Sequence, residues 1–338
     1  VGILFVASYW IYHNTKHIDH LIERLEAEGM NTIPGFFSTG ASKEEGSRGT
    51  AAHVSKYFTE GDGRSRIDVM IMNSPFSQIV NSRDTRGVRT PDEENFYKFM
   101  TDVPVLQAMS VSGEYMDYES QRAGLNKAEI ISQVAWPEMD GQIITVPIAK
   151  PHGDNLRLKN YIPIEDRVDH IVKVAKNWAN IRRKPAKDRK VAIVMWQSRP
   201  DSGRMGSAAG LDGMESVSDI MIRLSKEGYT MDFVPENGRQ LADRLLEGVT
   251  NDMNWMPSES IREKAVALIP KKDYLRTFSS IPEFNRDLMI KNWGDPVGDI
   301  STDKGMIVIP GMVSGNVYVG FQPLRAAYEQ MDAMYHDP

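Results

Sequence analysis

The sequence predicts an α/β protein made of two Rossmann-like or flavodoxin-like parallel-sheet units. Three observations lead there. Strand-length apolar runs alternate with amphipathic helical stretches from the first residue, the signature of β-α-β units. At 338 residues the chain exceeds what one typical core uses. A charged, proline-containing stretch, Arg182–Lys190, interrupts the pattern, which then restarts.

Val1–Ala7 reads as a buried strand. Asn14 or Thr15 can cap the next helix, which places Ile18, Leu21, Ile22 and Leu25 on one face and ends at Gly29. Asn31–Phe37 is a second strand, Ala51–Phe58 a short helix and Ile67–Met72 a third strand. A helix over Pro91–Met100, a strand over Val103–Met109 and a helix over Glu114–Ala123 follow. Ile130–Ala135 and Gln142–Ile148 are apolar runs joined by Trp136–Gly141, which suggests a hairpin-like excursion. Ile164–Ile181 is a long amphipathic helix.

Beyond the charged stretch, Val191–Trp196 is a strand, followed by a glycine-rich loop, a helix at Ser216–Glu227 and a strand at Met231–Val234. Arg239–Glu247, Ser260–Leu268 and Glu283–Ile290 read as helices, and Met306–Pro310 and Asn316–Phe321 as strands. The segment Ile22–Gly29 echoes Met221–Gly228, although shared β-α-β grammar can produce such a likeness. The expected organisation is a first α/β domain over 1–150, a long helix with a basic linker over 151–190, and a second α/β domain over 191–338.

Net charge −6 argues against a protein whose main task is gripping nucleic acid. The absence of cysteine excludes disulfides, Cys-ligated zinc and iron–sulfur clusters from this sequence. No apolar run reaches the length of a membrane span, and no basic residues precede the apolar opening as in a signal peptide, so a cytoplasmic location is expected. The first residue, Val1, reads as an internal cut in a longer, multidomain chain.

The loop Gln197–Asp212 contains Ser198, Arg199, Gly203, Arg204, Gly206 and Gly210 between a strand and a helix. Glycines let backbone approach a ligand, and free amides at a helix start favour anions. The loop lacks the G-K-[ST] close of a Walker loop and the spacing of a dinucleotide fingerprint. It is therefore a candidate cradle for substrate carboxylates, against the ordinary reading of a flexible turn. Glu138 and Asp140 form a carboxylate pair that could take protons or approach a metal, against the ordinary reading of a tight turn ending at Gly141.

His13, His17 and His20 fall at spacings a helix would bring to one side, where imidazoles can bind a transition metal. Isolated surface histidines are the commoner case. Ser8, Trp10 and Asn14 follow the first strand, and Gln322 and Arg325 follow the last. Carboxyl ends of parallel strands are the usual ligand edge. Arg325 could fork onto a carboxylate or serve a surface ion pair.

An ordered set of segments carries a family resemblance. It comprises Val1-Gly-Ile-Leu-Phe5 with Asn14-Thr15 and Ile18-Asp19, Val103-Pro-Val-Leu-Gln107, Val134-Ala-Trp-Pro-Glu-Met-Asp-Gly-Gln-Ile143 and Arg182-Arg-Lys-Pro185 before Val191-Ala-Ile-Val194. Ala208-Ala-Gly-Leu-Asp212 and Gly315-Asn-Val-Tyr-Val-Gly-Phe-Gln-Pro323, with Tyr335-His-Asp-Pro338 behind, complete it. The set resembles the large subunit of ATP-dependent cobaltochelatases and, more distantly, of magnesium chelatases.

The resemblance implies a tetrapyrrole-holding segment of an enzyme that inserts Co²⁺ into hydrogenobyrinic acid a,c-diamide during cobalamin biosynthesis. ATP would be hydrolysed by a separate AAA+ subunit acting with an integrin-like partner, and no cofactor is expected within this segment. Arg199, Arg204 and Arg325 would meet macrocycle carboxylates. The family's metal-insertion segment would lie after Pro338, so these residues alone would be inactive. The alternatives are a magnesium-protoporphyrin IX chelatase fragment, a two-lobed small-molecule binding protein of periplasmic type, and a surface that only docks the AAA+ subunit.

Overall fold

The structure, a computed structural model, describes residues 1–38, 50–77, 98–100, 102–111, 124–152, 160–197, 205–208, 210–253, 256–298 and 301–323. The chain divides into two compact units, Val1–Arg183 and Lys184–Pro338.

The first unit is built on β1 (Gly2–Val6), β2 (Ile33–Phe37), β3 (Met70–Asn73), β4 (Val105–Ser110), β5 (Ile143–His152) and β6 (Asn160–Pro163). They lie in the order β2-β1-β3-β4-β5-β6, with the first five parallel and β6 antiparallel to β5. That is the flavodoxin-like order, whose direction reverses between β1 and β3.

Strand side chains alternate between two cores, as the two-residue period requires. Ile3, Phe5, Val69, Ile71, Leu106, Ala108 and Ile148 meet helices α2 (Lys16–Ala27) and α6 (Glu165–Arg183) on one face. Leu4, Met70, Met72 and Val105 meet Val54, Phe58, Phe99 and Val103 on the other. The last of these helices buries Val168, Ile171, Val172 and Ala175. It therefore belongs to the first unit, where the sequence suggested a connecting segment. Its final residues Arg182 and Arg183 pair with Asp102 and Asp68, so they are not simply part of a solvated linker.

Besides Lys98–Met100, three further helical pieces of this unit lie among the described residues. They are α1 (Ala7–Ile11), α3 (Thr50–His53) running into a π-helical turn at Val54–Phe58, and α4 (Lys127–Glu129) running through a π-helical turn into α5 (Trp136–Met139). The last replaces the expected hairpin-like excursion over Ile130–Ala135. Asn126 starts the helix with a reciprocal cap: its side chain accepts from the Glu129 amide at 3.0 Å, and Glu129 Oε2 accepts from the Asn126 amide at 2.8 Å. The wide turn at Ile130–Ala135 then lets Pro137, which has no N–H, enter without breaking the run. Asn126→Ala is expected to cost about 1 kcal/mol, read as a lowered urea midpoint with an unchanged slope.

In the second unit, β7 (Val191–Met195) runs parallel to β14 (Val317–Phe321), and β13 (Met312–Ser314) closes the sheet antiparallel. Helices α7 (Gly213–Lys226) and α8 (Gly238–Leu246) cover it with Val217, Met221, Leu241 and Leu245. A two-stranded hairpin, β8 (Ser207–Ala208) with β9 (Leu211–Asp212), precedes α7.

A separate antiparallel sheet joins β10 (Ala267–Pro270), β12 (Met306–Ile309) and β11 (Thr302–Asp303), flanked by α9 (Ser258–Lys264), α10 (Lys271–Phe278) and α11 (Glu283–Trp293). Parallel pairing among the described residues of this unit is thus confined to β7 and β14.

Two expectations differ here. Met231–Val234 forms no strand, because the amides of Asp232 and Phe233 are taken by the Ser314 hydroxyl at 3.0 and 2.7 Å. The helix expected to reach Leu268 ends at Lys264, and Ala267–Pro270 turns into a strand paired with β12. The echo between the two halves does reach the backbone. Gly29 and Gly228 both end helices at φ +81° and +82°, and Met30 and Tyr229 both donate back to Leu25 and Leu224 carbonyls. Expected helices over Pro91–Met100, apart from Lys98–Met100, and over Glu114–Ala123 lie outside the described residues. Among the described residues, no helix is long and apolar enough to cross a membrane.

Candidate functional site

The crevice beside a reversal of strand order is where open parallel sheets bind ligands, since loops on either side diverge there. In the first unit it lies at the carboxyl ends of β1 and β3. Asn73 ends β3 and is buried; its Nδ2 donates to the Ala108 carbonyl at 2.9 Å and to Ser110 Oγ at 3.1 Å. Ser110 ends β4, and its backbone is gripped on both sides by the Gln133 amide, with two bonds of 2.8 Å.

His17, in the first turn of α2, points inward, with Nε2 3.4 Å from Asn73 Oδ1. Tyr9, on α1, lies edge-on to the His17 ring at 4.8 Å, and Tyr161 on β6 stands 5.6 Å from each. Burial holds the His17 imidazole down at about 4, against the opposing pull of its Asn73 bond and of Asp19. Burial raises the Tyr9 phenol, with the Ser110 hydroxyl working against it, and burial likewise raises Tyr161. The floor of this edge is therefore a buried, uncharged hydrogen-bonding network.

Above it stands an exposed aromatic shelf. Trp10 stacks on Phe36 of β2 with ring centroids 5.6 Å apart and planes 11° from parallel. Trp10 is 58% exposed and Phe36 40%, with Ile11 and Tyr12 open beside Trp10 in the chain. A second pair, Phe76 and Trp136, meets at 5.5 Å, and the Phe76 amide donates to the Ser132 carbonyl.

The sequence-derived candidates distribute as follows. Ser8 is exposed on α1. Asn14 holds the loop together: its amide donates to the Tyr9 carbonyl, and its Oδ1 accepts from the Tyr161 amide, both at 2.7 Å. Glu138 is exposed while Asp140 is buried and accepts from the Ser77 hydroxyl, so the two carboxylates do not act as a pair. Gly141 takes φ +85° in the turn.

The three histidines do not share a helix face. α2 begins at Lys16, His13 sits before it at φ +54°, and only His17 is buried. Among the described residues, no three His, Asp or Glu side chains are grouped to hold a metal.

In the second unit, Gly206 takes φ +64° just before β8, and Gly210 takes φ +75° just before β9. The Gln322 amide extends the β7 ladder by donating to the Met195 carbonyl at 2.9 Å, and its own carbonyl accepts from Asn251 Nδ2 at 3.0 Å. Asn251 also donates to Gln197 at 2.9 Å. The α7 start is capped by Asp212, whose side chain accepts from the Glu215 amide at 3.0 Å. A carboxylate already fills that helix end. Ser198, Arg199, Gly203, Arg204 and Arg325 lie outside the described residues.

Sequence reasoning missed Tyr9, His17 in its buried role, Asn73, Ser110, Gln133 and Tyr161. Asn73 and Ser110 carried a usable signal, each being the polar residue at the end of an apolar strand. Gln133 carried none, because its helix was misread.

The fold is that of an open α/β protein, a class in which ligands bind where strand order reverses. Residues 1–338 match the profile of the CobN/magnesium chelatase family, and the chain belongs to that family, whose named members are metal-chelatase subunits. It is similar to an uncharacterized protein of Methanocaldococcus jannaschii (34% identical, all of this chain, 27% of that protein). It is similar also to the aerobic cobaltochelatase subunit CobN of Pseudomonas aeruginosa (29% identical, all of this chain, 26% of that protein). The chain thus spans about a quarter of the length of the curated relatives it matches. Among solved structures, the catalytic subunit of cobaltochelatase from Mycobacterium tuberculosis shares the fold, with TM-score 0.72 at 24% identity over all of this chain and 27% of that one.

Proposed function

We propose that these residues are the tetrapyrrole-holding part of the large subunit of a cobalt-type chelatase, which inserts Co²⁺ into hydrogenobyrinic acid a,c-diamide. ATP hydrolysis falls to a separate AAA+ subunit with an integrin-like partner, and the complex works in the cytoplasm. The observation that carries this reading is the Trp10–Phe36 shelf at the strand-order reversal. A flat macrocycle needs an exposed aromatic face to lie on, and a preformed stacked pair offers one without ordering cost. The uncharged floor beneath suits a ligand whose charges sit at its periphery. Likeness to a protein named as a cobaltochelatase subunit supports cobalt over magnesium.

The test is a paired titration with hydrogenobyrinic acid diamide and protoporphyrin IX, followed by quenching of protein fluorescence. Tighter binding of the diamide is expected, and tighter binding of protoporphyrin would move the chain to the magnesium branch. Trp10→Ala should weaken binding about tenfold, the worth of one aromatic stacking contact. Unchanged affinity in that variant would remove the shelf from the site. No metal insertion is expected from these 338 residues by themselves, and a corrinoid charged with cobalt by them would contradict that.

A further inference from the structure

The shelf stands on an element with little to hold it. Helix α1 has five residues, Ala7 is its only buried one, and its cap residue Val6 makes no side-chain bond. A single helical turn has no stability of its own. What ties it down is the residue before Trp10. The Tyr9 ring is enclosed by His17 at 4.8 Å and Tyr161 at 5.6 Å, and those two rings close the triangle at 5.6 Å. The Tyr9 carbonyl accepts from Asn14, which in turn is held by the Tyr161 amide. Tyr9 is thus bound to α2 and β6, while its neighbour Trp10 lies flat on β2.

We propose that Tyr9 is the positioning residue of this shelf: clamped between His17 and Tyr161, it fixes the turn that sets Trp10 flat against Phe36. His17 fits the role. Its Nδ1 is buried with no partner, a cost that a leucine in the same place would avoid. Only an aromatic ring there gives Tyr9 an edge-on contact. An exposed tryptophan otherwise samples several rotamers, and holding it within 11° of Phe36 requires fixed backbone beneath.

The consequence for ligand binding rests on the tetrapyrrole reading, whereas the clamp itself does not. The test uses protein labelled with 5-fluorotryptophan, whose six tryptophans give separate fluorine resonances, Trp10 being assigned by its loss in Trp10→Phe. In Tyr9→Ala the Trp10 line should shift and broaden while the other lines stay, and tetrapyrrole affinity should fall about tenfold. Tyr9→Phe should keep both, since the ring and not the hydroxyl makes the clamp. If Tyr9→Ala does not fold, Tyr161→Leu on the outer strand must reproduce the Trp10 shift. An unmoved Trp10 line in a folded variant overturns the proposal. A moved line with unchanged affinity upholds the clamp and removes the shelf from the tetrapyrrole site, whereas no tetrapyrrole binding by the wild type would refute the tetrapyrrole reading and leave the clamp standing.

Discussion

Between pH 6.5 and pH 4 the first unit is expected to lose about 3 kcal/mol of stability through one residue, His17. Its folded value is depressed to about 4 from an ordinary 6.5, because the ring has no exposed surface in the folded protein. Above pH 6.5 the imidazole is neutral in both states and contributes no dependence. As the pH falls below 6.5, the unfolded chain takes up a proton that the folded one refuses, so unfolding gains up to about 1.4 kcal/mol per pH unit. Below about 4 both states are protonated and the loss levels off.

The check is a series of urea midpoints from pH 7.5 to pH 4.5 for wild type and for His17→Gln, which keeps a donor for Asn73 without a titrating ring. The wild-type midpoint should fall across this range and the variant's should stay nearly level. Parallel curves would mean that the imidazole protonates in place and is not dry. The folded protein keeps a neutral imidazole 4.8 Å from Tyr9 down to about pH 4, so ligand affinity should stay level while the midpoint falls.

The parallel order of the first unit was legible because buried parallel strands are short apolar runs and their helices are amphipathic. Val1–Ala7 and Asn31–Phe37 contain β1 and β2, and Ile67–Met72 contains all of β3 but Asn73. Ile130–Ala135 misled because an apolar run has no period of its own. Its helical state is set immediately upstream by the Asn126–Glu129 cap, in a stretch that carries no apolar signal. Met231–Val234 has strand composition, but the Ser314 hydroxyl, more than 80 positions away, takes its amides.

The ligand edge was legible in the same partial way. Strand ends locate it, so Ser8, Trp10 and Asn14 could be singled out. Which side chains converge beneath it depends on pairings such as Ser110 with Gln133 and Tyr9 with Tyr161, across separations that local pattern does not encode. The histidine triplet shows the limit most plainly. Its spacing suits a helix, but the backbone at His13 lies in the left-handed region, before the helix begins.

The glycine-rich loop of the second unit is expected to fail most sharply at Gly213. This residue opens α7, and a methyl group there would press into the Gly206 carbonyl oxygen while lying 3.0 Å from its carbon and 3.3 Å from its Cα. All three are backbone atoms, so no side-chain rotation relieves the overlap. Gly206 cannot retreat easily, because a Cβ placed on it would itself lie 3.2 Å from Met195 Sδ and 3.3 Å from Met214 Cε. Gly213→Ala should therefore cost about 3 kcal/mol, at the upper end for overpacking. Gly35→Ala is the control. Its added methyl meets only Leu4 Cδ1, at an ordinary 3.6 Å, and it should stay within about 0.5 kcal/mol of wild type.

Urea midpoints of the two variants separate a packed loop from a flexible one, since a loose turn would accept alanine at Gly213 as readily as β2 accepts it at Gly35. The distinction bears on what the loop can hold. With Gly206 and Gly213 in contact and Asp212 capping α7, this helix start is closed and carries its own negative charge. The α7 start is thus already occupied, and the sequence-based reading of it as an anion cradle does not apply there. A Gly213→Ala protein of wild-type stability would reopen the helix start as an anion site and restore that reading.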